Sequence, residues 1–525
     1  MSDRLDPARV RALTERLVAV PSVSPDPTGE SACADALREA LPPGVTSGVW
    51  ELTDGRRTLW ALLRGRSPRT VVLLGHLDTV GVGEYAALGA PEGERVAFAP
   101  DPLRRRLVEA GRTHPSERVR ADLAEEERTP GTWMFGRGAL DMKAGLAAGV
   151  GALGELAAGR DRLEGSVLLV ACPDEENASA GITAALPELV RLRDGEGLRP
   201  VGALNLDFGG EPAAWSGMMG KTLVGLWVLG DPTHASDPFG GVDAAQLAAE
   251  IASRAARGRE LVDHCDERAG APATILRLRD LKARYDAQTS VEAVVELNVL
   301  TFGRSLAATI EAVRDVAARS LAHLACSMDE LRAMTRQPGP LDHRQDAPDR
   351  VFTWAELLAR AGREPDFDPM EGAAGISLED VRAATLERVR RVAREAGLVG
   401  PAVVIYVLPP WYPAAGPGEG PLVRAARAVL ARDGMEVRPY YPHISDASYL
   451  AWRAEPPSAL EPLFPALGRE YRLPAEEARA LDLDVVNLGP WGRDAHGLYE
   501  RVHAAYAFEM LPRLIVDVVR RAVEA

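Results

Sequence analysis

No apolar run in the 525-residue sequence approaches the ~18 residues that a membrane-spanning helix needs, so a helical membrane protein is not expected. Cysteine is scarce. Cys33, Cys172, Cys265 and Cys326 are scattered, with no CxxC and no framework spacing, which excludes a Cys-rich metal site or a disulfide scaffold and leaves reduced thiols. Positive charge is also in deficit, with 61 Lys and Arg against 76 Asp and Glu and a net charge of -15. That balance argues against general nucleic-acid binding, which needs clustered cations to displace counterions from phosphates. The N-terminal stretch MSDRLDPARVRALTERL is charged and amphipathic and lacks the apolar segment of a secretory signal. A cytoplasmic protein with a small-molecule substrate, and without nucleic-acid or membrane partners, is expected.

The rest of the composition is that of a folded globular protein, 46% hydrophobic and 26% charged. Its length exceeds what one hydrophobic core supports, about 250 to 300 residues, so two or three folded units are expected. Over the first two hundred residues helical patterns alternate with the short apolar runs TVVLLGHL, GSVLLVACP and VGALNLDFG, the pattern of buried strands in a sheet flanked by helices. Arg104 to Pro130, dense in Arg and Glu, reads as a surface helical insertion. From about Lys221 the order changes to strand, helix, β-rich stretch and helix, which indicates a separate α+β domain. Within it, residues 336 to 377 carry little periodicity and read as an irregular insertion. After Pro413 the α/β character returns. The expected division is therefore 1–217 and 413–525 for an α/β domain with a central sheet, and 218–412 for an inserted α+β domain.

Four short segments carry the chemistry. VVLLGHLDTV delivers His76 and Asp78 to one face at a strand's C-terminal end, so that one can bind a metal while the other orients it. FGRGALDMKAGLAAG sets Asp141 in a Gly-flanked turn before a helix of small residues, a place for a bridging carboxylate or for a helix N-cap. VLLVACPDEENASAG ends a buried strand with Asp174, Glu175 and Glu176, carboxylates that repel one another unless cations neutralise them. NLGPWGRDAHGLYERV places His496 near the C-terminus. Strand ends in α/β sheets are where ligands bind.

Taken together, HLDTV, GRGALDMK, PDEE and GPWGRDAHGLYERV resemble, in order and kind, the co-catalytic zinc family of aminoacylases, acetylornithine deacetylases and succinyl-diaminopimelate desuccinylases (peptidase family M20). The likeness covers nearly the whole chain, with the α+β segment where that family carries its inserted lid. It implies a zinc-exopeptidase-like catalytic domain with a mixed sheet and a hydrolase of amide bonds. It also implies two divalent ions, for which zinc suits the mixed His and carboxylate donors and cobalt or manganese are alternatives. By the resemblance His76 is a ligand of one metal with Asp78 as its partner, Asp141 bridges, Glu176 and His496 hold the other metal, and Glu175 is the general base. The first metal's remaining ligand is either Asp207 or Glu211 in ALNLDFGGEP, and the strand-end Asp207 is favoured because it is better fixed. A cis peptide after Asp141 is implied as well.

VLGDPTHASDPFGG resembles the family's lid motif, which makes His234 the candidate oxyanion donor. In dimeric members that histidine comes from the partner subunit, so a homodimer is one expectation and a self-closing monomer the other. The charged insertion, the lid sequence DLKARYDAQTSVEAVVELNVLTFGRS and YPHISDASYL resemble the RocB type of bacterial arginine-utilisation protein. Asn298, Arg304, His443, Ser445 and Asp446 are candidates for substrate contact or lid positioning, Arg304 for a bidentate grip on a substrate carboxylate. The leading expectation is hydrolysis of an N-acyl amino acid or a short peptide. A dipeptidase, and a non-catalytic amino-acid-binding homologue, are the alternatives.

Overall fold

The segment TVVLLGH shows why this chain builds a sheet buried on both sides. In the computed structural model, which describes residues 5–89, 93–265, 268–335, 348–364, 377–453 and 456–524, these residues lie in the strand Arg69–His76. Val71 and Leu73 point into one core with Leu146, Leu153, Val423, Leu514 and Val518. The alternate residues Val72 and Leu74 are equally buried on the opposite face.

The chain divides into two compact units. The first comprises Met1–Met218, Ala415–Trp452 and Glu476–Ala525; the second comprises Met219–Ala414 with Arg453–Ala475. The sequence pattern places the last of these segments in the α/β part, whereas in the structure it belongs to the second unit.

The first unit is built on an eight-stranded mixed sheet. Its spatial order is Thr46–Glu51, Arg57–Leu63, Ser166–Cys172, Arg69–His76, Arg199–Asn205, Val485–Asn487, Ala214–Met218 and Val437–Tyr441. The four strands from Ser166–Cys172 to Val485–Asn487 run parallel, so the C-terminal ends carrying Asp174 to Glu176, His76 and Asp207 open on one edge. The helix Ala144–Ala158 packs closely because its small residues allow it. A Cβ on Gly145 would lie 2.1 Å from the Leu206 carbonyl oxygen, next to Asp207. The α/β fold with a mixed sheet flanked by helices is as expected.

The segment 100–128 is more than a surface insertion. It forms the helices Pro100–Ala110 and Glu117–Arg128, which build a small core of their own with Trp133 and Phe135. Glu126 is fully buried and accepts the backbone N–H groups of Gly131 and Trp133 at 2.9 and 2.8 Å.

The second unit has a five-stranded sheet in the order Thr274–Asp280, Glu292–Thr301, Gly220–Leu229, Ala402–Tyr412 and Val351–Thr353. The helix Ala244–Arg257 is N-capped by Asp243 and buries Leu247, Ile251 and Ala255. The irregular stretch expected at 336–377 is corrected in part. Residues 336–347 and 365–376 lie outside the described residues, but Val351–Thr353 is a strand and Trp354–Arg360 a helix. That helix starts on a capping box in which Thr353 and Glu356 satisfy each other's backbone donors. Among the described residues no helix is long and apolar enough to cross a membrane.

Candidate metal centre and catalytic site

His76 closes the strand Arg69–His76 and is buried. Its Nδ1 lies 3.1 Å from the Asp78 carbonyl oxygen, which only accepts, so Nδ1 carries the proton and Nε2 is left bare. Nε2 faces Asp141 Oδ1 at 3.0 Å. Two acceptors at that distance need a proton or a cation between them. Burial alone would lower the His76 pKa, but Asp141 and Asp78 outweigh it and raise it well above the usual value.

The other oxygen of Asp141 does the same for a second histidine. Asp141 Oδ2 lies 3.0 Å from His496 Nε2, which also meets Glu176 Oε1 at 2.9 Å. These two carboxylates push the His496 pKa up to about 11. The Asp141–Met142 peptide is cis. Among the described residues, three groups bring ligand atoms within 4.8 Å of one another: His76 with Asp141 and Asp207, Asp141 with Glu176 and His496, and His76 with Glu175 and Glu176. The first two share Asp141.

The negative charge gathered here is costly without cations. Burial, with Asp141 adding to it, raises the Asp207 pKa to about 7. Glu176 is raised by burial and Asp141. Glu175 is raised well above the carboxylate range by burial, against the pull of His76, with Glu176, Asp446 and Asp207 adding to the shift. Glu211 is elsewhere: it is exposed and pairs with Arg438.

Asp78 is fully buried and holds the acidic loop by its backbone. Its Oδ1 and Oδ2 accept the N–H groups of Glu175 and Glu176 at 3.1 and 3.0 Å. Its carboxylate is farther from His76, 3.6 Å from Nδ1, so the ring is oriented chiefly by the Asp78 carbonyl. Asp174 turns away from the cluster through a left-handed backbone, φ 72°. It pairs with buried Arg56 and accepts the Ala180 N–H at 2.9 Å, locking the loop. Asp207 is fixed from behind by Asn487, whose Nδ2 donates to the Asp207 carbonyl at 2.9 Å and is not visible as a site residue in the sequence.

The His496 loop is strained, with Asp494 at φ 57° and His496 at φ 63°. It is braced by the helix Glu117–Arg128. Asp122 meets Arg493 Nη1 at 2.5 Å and the buried Arg501 Nε at 2.9 Å, and Arg501 reaches Asp494 at 2.6 Å. Removing one partner of a buried ion pair costs ~3 to 5 kcal/mol. Asp122→Ala is therefore expected to lower the melting temperature clearly, near the smaller of those costs because Asp494 still partners Arg501. A melting curve that superposes on the wild type would refute this bracing.

The remaining candidates divide between the units. In the first, His443 packs its ring on Phe208 and Tyr441, at 4.7 and 5.3 Å between centroids, and this desolvation lowers its pKa. Ser445 is buried and accepts from Asn205 Nδ2 at 3.0 Å, a structural duty. Asp446 is buried and its pKa is pushed up to about 8, by burial first and then by negative neighbours that include Asp78. In the second unit, Arg304 donates to the carbonyls of Glu260 and Val262 at 2.8 and 2.9 Å, so its guanidinium serves the local turn rather than a bidentate grip on a ligand. Asn298 is half-buried, and its Oδ1 has no hydrogen-bond partner among the described residues. His234 is exposed. The Ser236 N–H donates to its Nδ1 at 3.2 Å, which leaves the proton on Nε2 as an outward donor.

A mixed α/β sheet whose strand ends gather histidines and carboxylates around a shared aspartate defines a hydrolase of the metallopeptidase class. The sequence profile of peptidase family M20/M25/M40 matches residues 117–486, and the chain belongs to that family. It is 30% identical to the Bacillus subtilis protein YqjN over 491 residues, covering 88% of this chain and 86% of YqjN. It is 26% identical to Protein RocB of the same organism, covering 97% of this chain and 94% of RocB. Among solved structures a tripeptidase from Staphylococcus aureus shares the fold, with a TM-score of 0.55 at 14% identity over 99% of this chain and all of the other. The protein is accordingly a hydrolase of C–N bonds in amides or peptides.

Proposed function

We propose that this chain is a two-metal amidohydrolase that releases an amino acid from an N-acyl or short peptide substrate, in the first unit, with the second unit as its lid. The observation that carries this reading is the pair of ligand groups sharing Asp141: His76, Asp141 and Asp207 on one side, Asp141, Glu176 and His496 on the other. Both are mixed His and carboxylate sets of the kind that suits zinc and also accepts cobalt or manganese. Divalent ions held there supply polarisation of the scissile carbonyl and a lowered pKa for the attacking water. Glu175 is free of the two bridged groups and takes the water's proton, then hands it to the leaving amine. Asp78 keeps Glu175 and Glu176 in register through their backbone N–H groups. The His234 Nε2–H is the donor assigned to the developing oxyanion.

The resemblance of DLKARYDAQTSVEAVVELNVLTFGRS and YPHISDASYL to the RocB type of arginine-utilisation protein supports a substrate built on arginine or another amino acid. The test is hydrolysis of a panel of N-acyl amino acids, acylated arginine and ornithine among them, against dipeptides, with zinc, cobalt or manganese supplied. Turnover confined to dipeptides replaces the acyl reading with a dipeptidase. No turnover of any amide, by protein shown to hold its metals, overturns the enzymatic reading in favour of an amino-acid-binding homologue. Within an active panel, His234→Ala is expected to lower kcat by ~100 to 1000-fold with metal content unchanged. A negligible effect removes that residue from the mechanism.

A further inference from the structure

Arg137 and Glu500 have no part in the chemistry above, yet both side chains are buried almost completely. They form an ion pair, Arg137 Nη1 to Glu500 Oε2, at 2.5 Å. A buried pair of this kind contributes little stability over an apolar pair of the same volume, because desolvation offsets the attraction. What it does supply here is geometry. The second oxygen of Glu500, Oε1, accepts the backbone N–H groups of Leu140 and Asp141 at 3.2 and 3.4 Å. The second terminal nitrogen of Arg137, Nη2, donates to the His496 carbonyl at 3.2 Å and also pairs with Glu84. Its Nε donates to the Gly81 carbonyl at 3.2 Å. Tyr85 lies under the guanidinium, 5.4 Å from its ring centre, and its hydroxyl donates to the Gly497 carbonyl at 3.4 Å.

One ion pair therefore grips the peptide that carries Asp141 and the peptide that carries His496. The Asp141 and His496 side chains meet 3.0 Å apart. His496 needs such an external grip. Its backbone is in the left-handed region, φ 63°, which a histidine does not hold without outside support. His76 and Asp207 have other supports, the strand ends and Asn487.

We infer that Arg137 and Glu500 are positioning residues that set the spacing of Asp141 and His496, and so tune the metal position built from Asp141, Glu176 and His496 more than the one built from His76, Asp141 and Asp207. This inference rests on the two-metal reading. The experiment titrates chelator-stripped, full-length protein with Zn²⁺ and follows both binding events by calorimetry, for the wild type, Glu500→Gln, Arg137→Lys and Glu84→Gln. Circular dichroism and melting curves of the stripped proteins report the fold. A partner that orients a metal ligand is worth ~10 to 100-fold in affinity. Glu500→Gln and Arg137→Lys are expected to weaken one of the two ions by that factor and leave the other within about threefold. Glu84→Gln, at the more exposed end of the network, weakens the same ion by less, about tenfold at most. Affinities unchanged from wild type in the folded variants, or both ions weakened equally, overturn the inference while leaving the two-metal reading intact. If Glu500→Gln fails to fold because it strands a buried guanidinium, the other two variants decide by the same comparison. A wild-type protein that takes up fewer than two ions overturns the two-metal reading, and the inference with it.

Discussion

Glu175→Gln is expected to leave the protein folded and charged with both divalent ions while kcat falls by ~100 to 10,000-fold, the range that a positioned general base contributes. Glu176, its neighbour, is tied to His496 at 2.9 Å and shares a ligand group with Asp141. Glu175 belongs to neither group that Asp141 bridges. Its main chain is fixed by Asp78 Oδ1 at 3.1 Å, and the ligand-capable group it does enter, with His76 and Glu176, lacks Asp141. Burial raises its pKa above the usual carboxylate range. The sign of the pH dependence follows: kcat/KM falls toward acid as Glu175 takes up its proton, and that acid limb disappears in the glutamine variant, which has no proton to accept. Metal content is measured beside the pH profile. Near-normal turnover, or loss of an ion together with activity, would assign Glu175 a different role.

Part of this candidate site was legible in the sequence because His76, Glu176 and Asp207 follow the ends of strongly patterned strands. TVVLLGH has the pattern of a buried strand, and the histidine at its end leaves the sheet at its C-terminal edge. The same holds for the acidic residues after VLLVAC and for Asp207 after VGALNL. The preference for Asp207 over Glu211 rests in the sequence only on its place at the strand end, since both follow the same strand. Arg438, 227 positions from Glu211, takes the Glu211 carboxylate, while Asp207 lies in one group with His76 and Asp141. Asp174 was unreadable for a similar reason: it is one of three successive acids, and its turn away from the cluster depends on distant Arg56.

The supporting contacts were less legible than the ligands. Arg137 and Glu500 both lie inside segments singled out as motifs, yet their pairing is made across 363 residues, which no local pattern encodes. Asp122 sits in a stretch dense in Arg and Glu that reads as a solvated helix. It is buried because Arg493 and Arg501 reach it from the far end of the chain. The helix Trp354–Arg360 had a local signal, the Thr353 and Glu356 capping box, but flanking segments without periodicity masked it.

Asp141→Asn tests the bridge itself and is expected to have the most complete effect, loss of both ions and of turnover to background. Each carboxylate oxygen faces a different histidine at 3.0 Å, Oδ1 toward His76 and Oδ2 toward His496. An asparagine keeps one oxygen and replaces the other with an NH₂ group, which presents hydrogens to whatever cation lies beside it. One position therefore loses a ligand, and the other loses the negative charge that offsets two nearby divalent ions. A partner one step removed from the metal is worth ~10 to 100-fold in affinity, and loss of a shared ligand should exceed that at both positions. His496→Ala is the informative contrast. It removes a ligand only from the group with Glu176, so one ion should remain bound and the count should fall from two to one. Metal analysis after dialysis distinguishes the three patterns directly. Asp141→Asn protein that still carries two ions would show that Asp141 does not bridge, and the assignment of two groups around one carboxylate would fall with it.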